Sequence, residues 1–228
     1  MCIRDSNLPA RFIRDIRRSF GHSQLARQEL DGELIADHEG ALWTRAMIEQ
    51  CREAVVSSPS VRVVIGVDPP ASSGGDACGI VAVGLGADGI ARVLGDASVT
   101  RPTPERWAKA VAKAAQVWKA DRVVAEANQG GAMVESVLRA ADVALPLRLV
   151  HASVGKVARA EPVVALYEAG KVRHAGNFAA LEDELCGLVA GGKYHGPGRS
   201  PDRADAAVWA LTELMLGRRH EPRVSIDY

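Results

Sequence analysis

The chain has 228 residues, of which 47% are hydrophobic, and its 28 Lys and Arg residues balance 28 Asp and Glu residues. A net charge of zero excludes a histone-like polybasic protein, although a local basic face can still bind nucleic acid. The four cysteines form no C-x-x-C pair, which argues against a zinc site or a disulfide framework. No run of about 18 apolar residues predicts a membrane span, and the N-terminus lacks the apolar stretch of a secretory signal.

The N-terminal quarter of the chain is polar and predicts short helices that break at Gly32 and Gly40. Its arginine-rich stretch RFIRDIRRSF is typical of a solvated helix face or of an arm that contacts phosphates. Because this segment has few bulky apolar residues, we expect residues 1–56 to be partly disordered or docked on a neighbour. Composition changes at the Ser- and Pro-rich stretch 57–60, so we place a domain boundary after residue 59.

Three strands come next, at 61–68, 78–85 and 90–99, and the tight turn between the last two predicts an antiparallel meander. Over residues 103–120 the apolar residues then recur at helical spacing, which predicts an amphipathic helix. Further strands follow at 121–127 and 145–150 with an extended piece at 171–174, and further helices at 132–142, 158–170, 178–190 and 201–217. This order predicts an α/β, ribonuclease H-like mixed sheet over residues 60–217, with helices on both faces and a basic tail at 218–228.

Two carboxylates end apolar strands, where a core residue would be expected. Asp68 ends the first strand and Glu126 ends the fourth. A carboxylate against a core costs several kcal/mol unless it is paired or binds a cation. In a sheet of this order the two strands are parallel neighbours, so both acids should lie side by side at one edge.

The last helix supplies further acids. Ser200 is its predicted N-cap, with Pro201 at the first helical position. Asp205 falls at the border of the buried stripe and can reach over the edge of the sheet. Asp202 points about 60° further round, towards solvent, and is a lesser candidate.

Acids from three separate elements predict a site for divalent cations. Mg²⁺ and Mn²⁺ prefer oxygen ligands, and two such ions can cleave a phosphodiester bond. Taken singly, Asp68 can be a turn residue, Glu126 a hydrogen-bond acceptor for the next loop and Asp205 a solvated helix acid. Their joint placement favours the metal site. The chain has no G-x-x-x-x-G-K-[ST] motif, so we expect no ATP hydrolysis.

Four stretches resemble, in the same order, the C-terminal nuclease domain of the large terminase subunit of tailed bacteriophages and gene-transfer agents. They are IGVDPPASSGGDACGIVAVG, VVAEANQGGAMV, VGKVARAEPVVALYEAGKVRH and SPDRADAAVWALTEL. The likeness runs from about Ser60 to Gly217, and LARQELDGELIADHEGALWTR resembles the connector after the terminase ATPase domain. Since the phosphate-binding half is absent, the resemblance indicates a fragment of a longer terminase.

The resemblance implies metal-dependent cleavage of concatemeric double-stranded DNA with two Mg²⁺ or Mn²⁺ ions. Asp68 would bridge both ions, Glu126 would favour one and Asp205 the other, with Asp202 and Asp76 as lesser candidates. The implied partners are the ATPase domain, the portal protein and the small terminase subunit. The implied place of action is the host cytoplasm, transiently at the portal, without secretion.

Basic residues in two predicted loops are candidate DNA contacts. Lys156 and Arg159 lie in a loop that leads into a helix, and Lys193, His195 and Arg199 lie in a Gly-rich loop. Their contacts with phosphates would be independent of sequence and weakened by salt. Two alternatives stay open: a ribonuclease H-like junction resolvase, and a non-catalytic packaging module that docks on the portal or the small subunit.

Overall fold

A computed structural model describes residue 11 and residues 37–53, 58–70, 77–128 and 130–217. The helices are α1 (Arg45–Gln50), α2 (Pro104–Val117), α3 (Gly131–Ala141), α4 (Lys156–Glu168), α5 (Ala179–Cys186) and α6 (Asp202–Leu211), and a π-helical segment (Thr212–Leu216) extends α6. The strands are β1 (Ser60–Asp68), β2 (Ala77–Gly86), β3 (Ala91–Asp96), β4 (Val99–Thr100), β5 (Arg122–Glu126), β6 (Leu147–Val150) and β7 (Val172–His174).

The seven strands form one mixed sheet, in the order β6-β5-β1-β2-β3-β7, with β4 paired to one end of β2. Strands β1, β2 and β3 are antiparallel, and β5 and β6 run parallel to β1. The predicted meander and the predicted parallel pairing of the first and fourth strands are both confirmed, as is the mixed α/β fold.

Both faces of the sheet are covered because successive strand residues point to opposite sides. On one face, Val64 belongs to a cluster with residues of α1, α4, α5 and α6. Ile65 belongs to a second cluster with α2 and α3 on the other face. The long apolar runs of β1 and β2 therefore follow from burial on both faces.

Helix α6 lies very close to the middle of the sheet. A Cβ on Gly66 of β1 would stand 1.9 Å from the carbonyl oxygen of Ala206, and a Cβ on Gly79 of β2 would stand 1.9 Å from that of Asp202. Only glycine permits this approach. The first turn of α6 is therefore held directly over the end of β1.

Some predicted boundaries are wrong for local reasons. The third strand ends at Asp96, where the Asp96 carboxylate accepts a hydrogen bond from the Ser98 N–H and turns the chain. The helix predicted to reach residue 190 ends at Cys186, because the loop that follows folds back on it. There the His195 N–H donates to the Gly187 carbonyl at 2.8 Å.

Part of the predicted connector packs into the core. Trp43, Ile48 and Cys51 are 3% exposed or less, and they join the cluster of α4, α5 and α6. Ala41 forms a β-bridge with Val189. The boundary after residue 59 stays a prediction, but residues 37–53 contact the same core as the sheet. None of the helices in the described ranges is long and apolar enough to cross a membrane.

Candidate metal centre

Asp68 and Glu126 lie at the same edge of the sheet. Val67 and Ala125 are paired in the parallel ladder between β1 and β5, so the acid that follows each of them ends its strand beside the other. Both side chains are partly buried. The strand order thus brings together two acids that are 58 positions apart in the sequence.

The first turn of α6 adds Asp205 and Asp202 to this edge. Asp205 is 2% exposed, as expected from its place beside the buried stripe. The prediction that Asp202 points to solvent is wrong, because Asp202 is only 8% exposed. Its carboxylate accepts a hydrogen bond from the Ala77 N–H at 3.1 Å, since α6 packs against the start of β2.

The cap of α6 differs from the predicted one. Ser200 is not the N-cap: the helix begins at Asp202, and the capping position is Pro201, which has no side-chain hydrogen bond to offer. The carboxylate of Glu184, from α5, instead accepts from the N–H groups of Arg203 and Ala204. Burial raises the pKa of Glu184 to about 7, despite the ion pair with Arg203. A long-range contact thus replaces the local cap and fixes the start of α6.

The four acids repel one another electrostatically. Burial raises the pKa of Asp68 well above its usual range, and the charges of Asp205, Asp202 and Glu126 raise it further, against the effect of Lys156. Burial also raises the pKa of Asp202, and Asp205 adds to this. The edge therefore concentrates negative charge that a cation would stabilise.

Two basic side chains, Lys156 and Arg159, neutralise part of this negative charge. The prediction that Lys156 and Arg159 lie in a loop is wrong, because both belong to the first turn of α4. Lys156 Nζ forms an ion pair with Asp205 and contacts Ser200 Oγ at 3.1 Å. Burial lowers the pKa of Lys156, but the charges of Asp205 and the other acids outweigh it, so the pKa is raised overall.

Arg159 bridges two of the acids. Its terminal nitrogens lie 3.1 Å from Glu126 Oε2 and 3.0 Å from Asp205 Oδ1. Its side chain is 9% exposed, and its guanidinium carbon lies 4.5 Å from the centre of the Trp209 ring. A cation on an aromatic face is stabilised most when it is desolvated. Arg159 is therefore a fixed part of this site, whether or not it also meets DNA.

Trp209 is a residue of the site that the sequence reasoning missed. Its Nε1–H donates to Glu126 Oε2 at 2.7 Å, while its ring carries Arg159. The signal was its spacing, since Trp209 follows Asp205 by four positions and so shares its helix face.

The donor set fits a divalent cation. Four carboxylates meet at one edge, and carboxylate oxygens are the ligands that Mg²⁺ and Mn²⁺ prefer. Across the part of the chain that the structure describes, however, no three acidic, His or Cys side chains already have the arrangement of a metal site. Lys156 and Arg159 occupy oxygens of Asp205 and Glu126. A cation would have to compete with them.

The other predicted DNA contacts lie in the loop between α5 and α6. Lys193, His195 and Arg199 are exposed there. The same loop lines a cavity of about 350 Å³ next to Asp202, which places it at the border of the acidic edge. Asp76 lies outside the described residues.

Comparison with known proteins identifies the family. The model of the terminase RNase H-like domain matches residues 65–214, a span that includes the end of β1, the acidic edge and α6. The chain belongs to this family of terminase RNase H-like domains. A search of curated proteins found no match.

Solved structures agree with the fold. The large terminase nuclease of thermophilic phage G20c is 16% identical, with a TM-score of 0.57 over 76% of this chain and 98% of that one. Structures of that nuclease exist with bound magnesium, cobalt and zinc. The large terminase of another thermophilic bacteriophage, in complex with ADP, is 11% identical, with a TM-score of 0.59 over 92% of this chain and 52% of that one. This chain spans 43% of the HK97 bacteriophage large terminase, at 16% identity and a TM-score of 0.52.

Proposed function

We propose that this chain is the metal-dependent endonuclease of a DNA-packaging terminase and that it cleaves concatemeric double-stranded DNA. The observation that supports this most directly is the cluster of Asp68, Glu126, Asp205 and Asp202, in which burial and the charges of the other acids raise the pKa of Asp68. Such a cluster is costly for folding and is useful for binding cations. Asp68, Glu126 and Asp205 are the proposed catalytic acids.

Divalent cations, Mg²⁺ or Mn²⁺ and two per site, would activate water and stabilise the leaving oxygen. Asp68, between the other acids, is the proposed shared ligand. The Trp209 N–H orients the Glu126 carboxylate, and the first turn of α6 places Asp205 at the same edge. Lys156 and Arg159 neutralise the edge until cations bind, and the half-exposed Lys156 can then turn to the phosphates of the cut strand, while Arg159 stays on Trp209.

DNA would approach along exposed basic residues beside the acids. Lys193, His195 and Arg199 lie in the loop that lines the cavity next to Asp202, and we assign them to contacts with the phosphate backbone. The matched part of this chain covers only 43% of the HK97 terminase and 52% of the ADP-bound terminase. We therefore also propose that an ATPase domain, the portal and the small subunit are the partners, and that cleavage takes place in the host cytoplasm at the portal.

A plasmid assay tests the catalytic proposal. Supercoiled plasmid is incubated with the chain and Mn²⁺ or Mg²⁺, with and without EDTA. We expect cleavage that EDTA abolishes and that Asp68→Asn reduces on the order of 100-fold, because removing a shared carboxylate charge weakens cation binding. Glu105→Gln, at an exposed acid in the first turn of α2, is the matched control and should cut like wild type.

Intact plasmid in every metal would contradict the nuclease proposal and favour a non-catalytic packaging module. Equal cleavage by Asp68→Asn and wild type would show that the site is elsewhere. A four-way junction cut in preference to linear duplex would favour a resolvase.

A further inference from the structure

A second polar cavity lies beside the acidic edge on the same face of the sheet. It has a volume of about 720 Å³. Strands β1, β5 and β6 contribute its floor, and the end of α6 and the π-helical segment form its wall. Trp209 joins the two sites, because its ring lines the cavity while its Nε1–H donates to Glu126.

The floor carries one arginine from each of the three strands. Arg62 comes from β1, Arg122 from β5 and Arg148 from β6. Arg122 pairs with Val64 and Arg148 with Val124, so strand alternation directs all three side chains to the α6 face. The sheet thereby places three guanidinium groups in one row.

A buried acid holds these arginines together. The carboxylate of Glu213 lies 3.2 Å from Arg62 and 3.5 Å from Arg122, and it also pairs with Arg148. Its side chain is only 8% exposed, whereas those of Arg62, Arg122 and Arg148 are 37%, 43% and 52% exposed. The acid therefore lies beneath the cations, and an anion from solvent would meet the guanidinium groups first.

The arginines keep donors for an anion. A guanidinium has five N–H groups, and each arginine directs one terminal nitrogen at Glu213. The second acid of the lining, Asp121, accepts from the Val63 N–H at 2.7 Å. Three arginines against two engaged acids leave a net positive cavity, and the planar fork of arginine matches a phosphate.

The position fits a continuous nucleic-acid path. Arg122 and Glu126 lie four residues apart on the same face of β5, which is about 13 Å at the rise of a strand. Phosphates of one DNA strand are spaced about 3.4 Å along the helix axis. The distance from Arg122 to the acidic edge is thus about four phosphate spacings, with Arg148 nearer to that edge and Arg62 further from it.

We propose that Arg62, Arg122 and Arg148 form a binding site for the DNA phosphate backbone on one side of the cleavage point. This inference rests on the proposed nuclease function. Glu213 acts as the residue that positions the three arginines. The competing explanation is that the cluster only fastens the π-helical segment to the sheet.

Salt-dependent DNA binding separates these explanations. A labelled duplex of about 30 base pairs is titrated in EDTA, so that binding is measured without cleavage, at several NaCl concentrations. For Arg122→Gln/Arg148→Gln we expect the slope of log affinity against log salt to fall by about one to two, because each lost phosphate contact removes about 0.9. Affinity at low salt should fall on the order of tenfold.

Three variants control for folding and for general charge. Arg106→Gln removes an exposed charge on α2, on the opposite face, and should leave the slope unchanged. Arg122→Lys/Arg148→Lys keeps the charges and should keep most of the slope. Arg148→Gln alone, at the most exposed of the three, should lower the slope by about one even if the double variant folds poorly.

These binding results can be interpreted whether or not the nuclease proposal holds. Wild-type slope and affinity in both Gln variants would overturn the backbone site, even if plasmid cleavage succeeds. A lower slope with no cleavage in any metal would support the backbone site while the catalytic proposal fails. If inorganic phosphate at matched ionic strength stabilises wild type while the DNA slope stays unchanged in the variants, the cavity takes a small anion and the proposal is wrong.

Discussion

At the scale of single residues, the decisive feature is competition for carboxylate oxygens. Asp68 has its pKa raised by burial and by three other acids, while Lys156 lowers it and Arg159 pairs with Asp205. A metal bound at this edge, as proposed, would need the same oxygens as these basic side chains. Binding of one must therefore weaken binding of the other, and the coupling is reciprocal.

Arg159→Gln tests this competition directly. It removes the guanidinium between Glu126 and Asp205, so we expect Mn²⁺ to bind more tightly by about tenfold in a calorimetric titration without DNA. The metal-free protein should melt at a lower temperature, because two acids lose their partner, and added Mn²⁺ should raise the melting temperature more than in wild type. Arg106→Gln is the matched control. Unchanged or weaker Mn²⁺ binding by Arg159→Gln would contradict the competition.

At the scale of elements, the site depends on how closely α6 approaches the sheet. Glycines on β1 and β2 admit the backbone of α6, and Glu184 from α5 caps its first turn. Asp202 and Asp205 belong to that turn. The spacing between α6 and the sheet therefore sets the spacing of the acids.

Gly66→Ala tests this packing. Its new Cβ would meet the backbone carbonyl of Ala206, which cannot move away as a flexible side chain could. We expect a loss of about 1–3 kcal/mol in the free energy of unfolding, together with lower nuclease activity as α6 shifts. Urea denaturation measures the loss.

Gly155→Ala is the comparison for this change. Its Cβ would meet nothing within 4 Å, so it should cost less, up to about 1 kcal/mol from its place at the N-cap of α4. Wild-type stability of Gly66→Ala would show that α6 can move without penalty.

At the scale of the whole molecule, the fold extends beyond the predicted domain. Trp43 is fully buried and meets Tyr167 edge to face, with ring centres 5.8 Å apart. Cys51 and Ile48 join the same core. We propose that residues 37–53 belong to the folding unit of the sheet, so that the boundary after residue 59 divides the sequence by composition only.

Trp43→Ala tests this extension. A truncated buried Trp leaves a cavity, so we expect a loss of about 3–5 kcal/mol in the free energy of unfolding. Val117→Ala, at a side chain that is 61% exposed, should change it by less than about 0.5 kcal/mol. If Trp43→Ala unfolds like wild type in urea, the segment is peripheral and the compositional boundary is also the structural one.

Much of the fold could be predicted because its signals are local. The apolar run of β1, the helical period of α2 and the turn between β2 and β3 each follow from neighbouring residues. In a mixed sheet of this order, β1 and β5 are then parallel neighbours, as the structure has them. For this reason the sequence alone was enough to bring Asp68 and Glu126 to one edge and to favour a metal site there.

Only the tertiary structure decided which basic residues neutralise that edge, what caps α6 and how deeply Asp202 is buried. Arg159 reaches Glu126 and Asp205 across 33 and 46 positions of sequence, and Glu184 caps α6 from another helix. Asp202 is buried because β2 lies against α6, although its place on an isolated helix points to solvent. Local periodicity describes an element alone, whereas ion pairs, burial and caps depend on which elements meet in space.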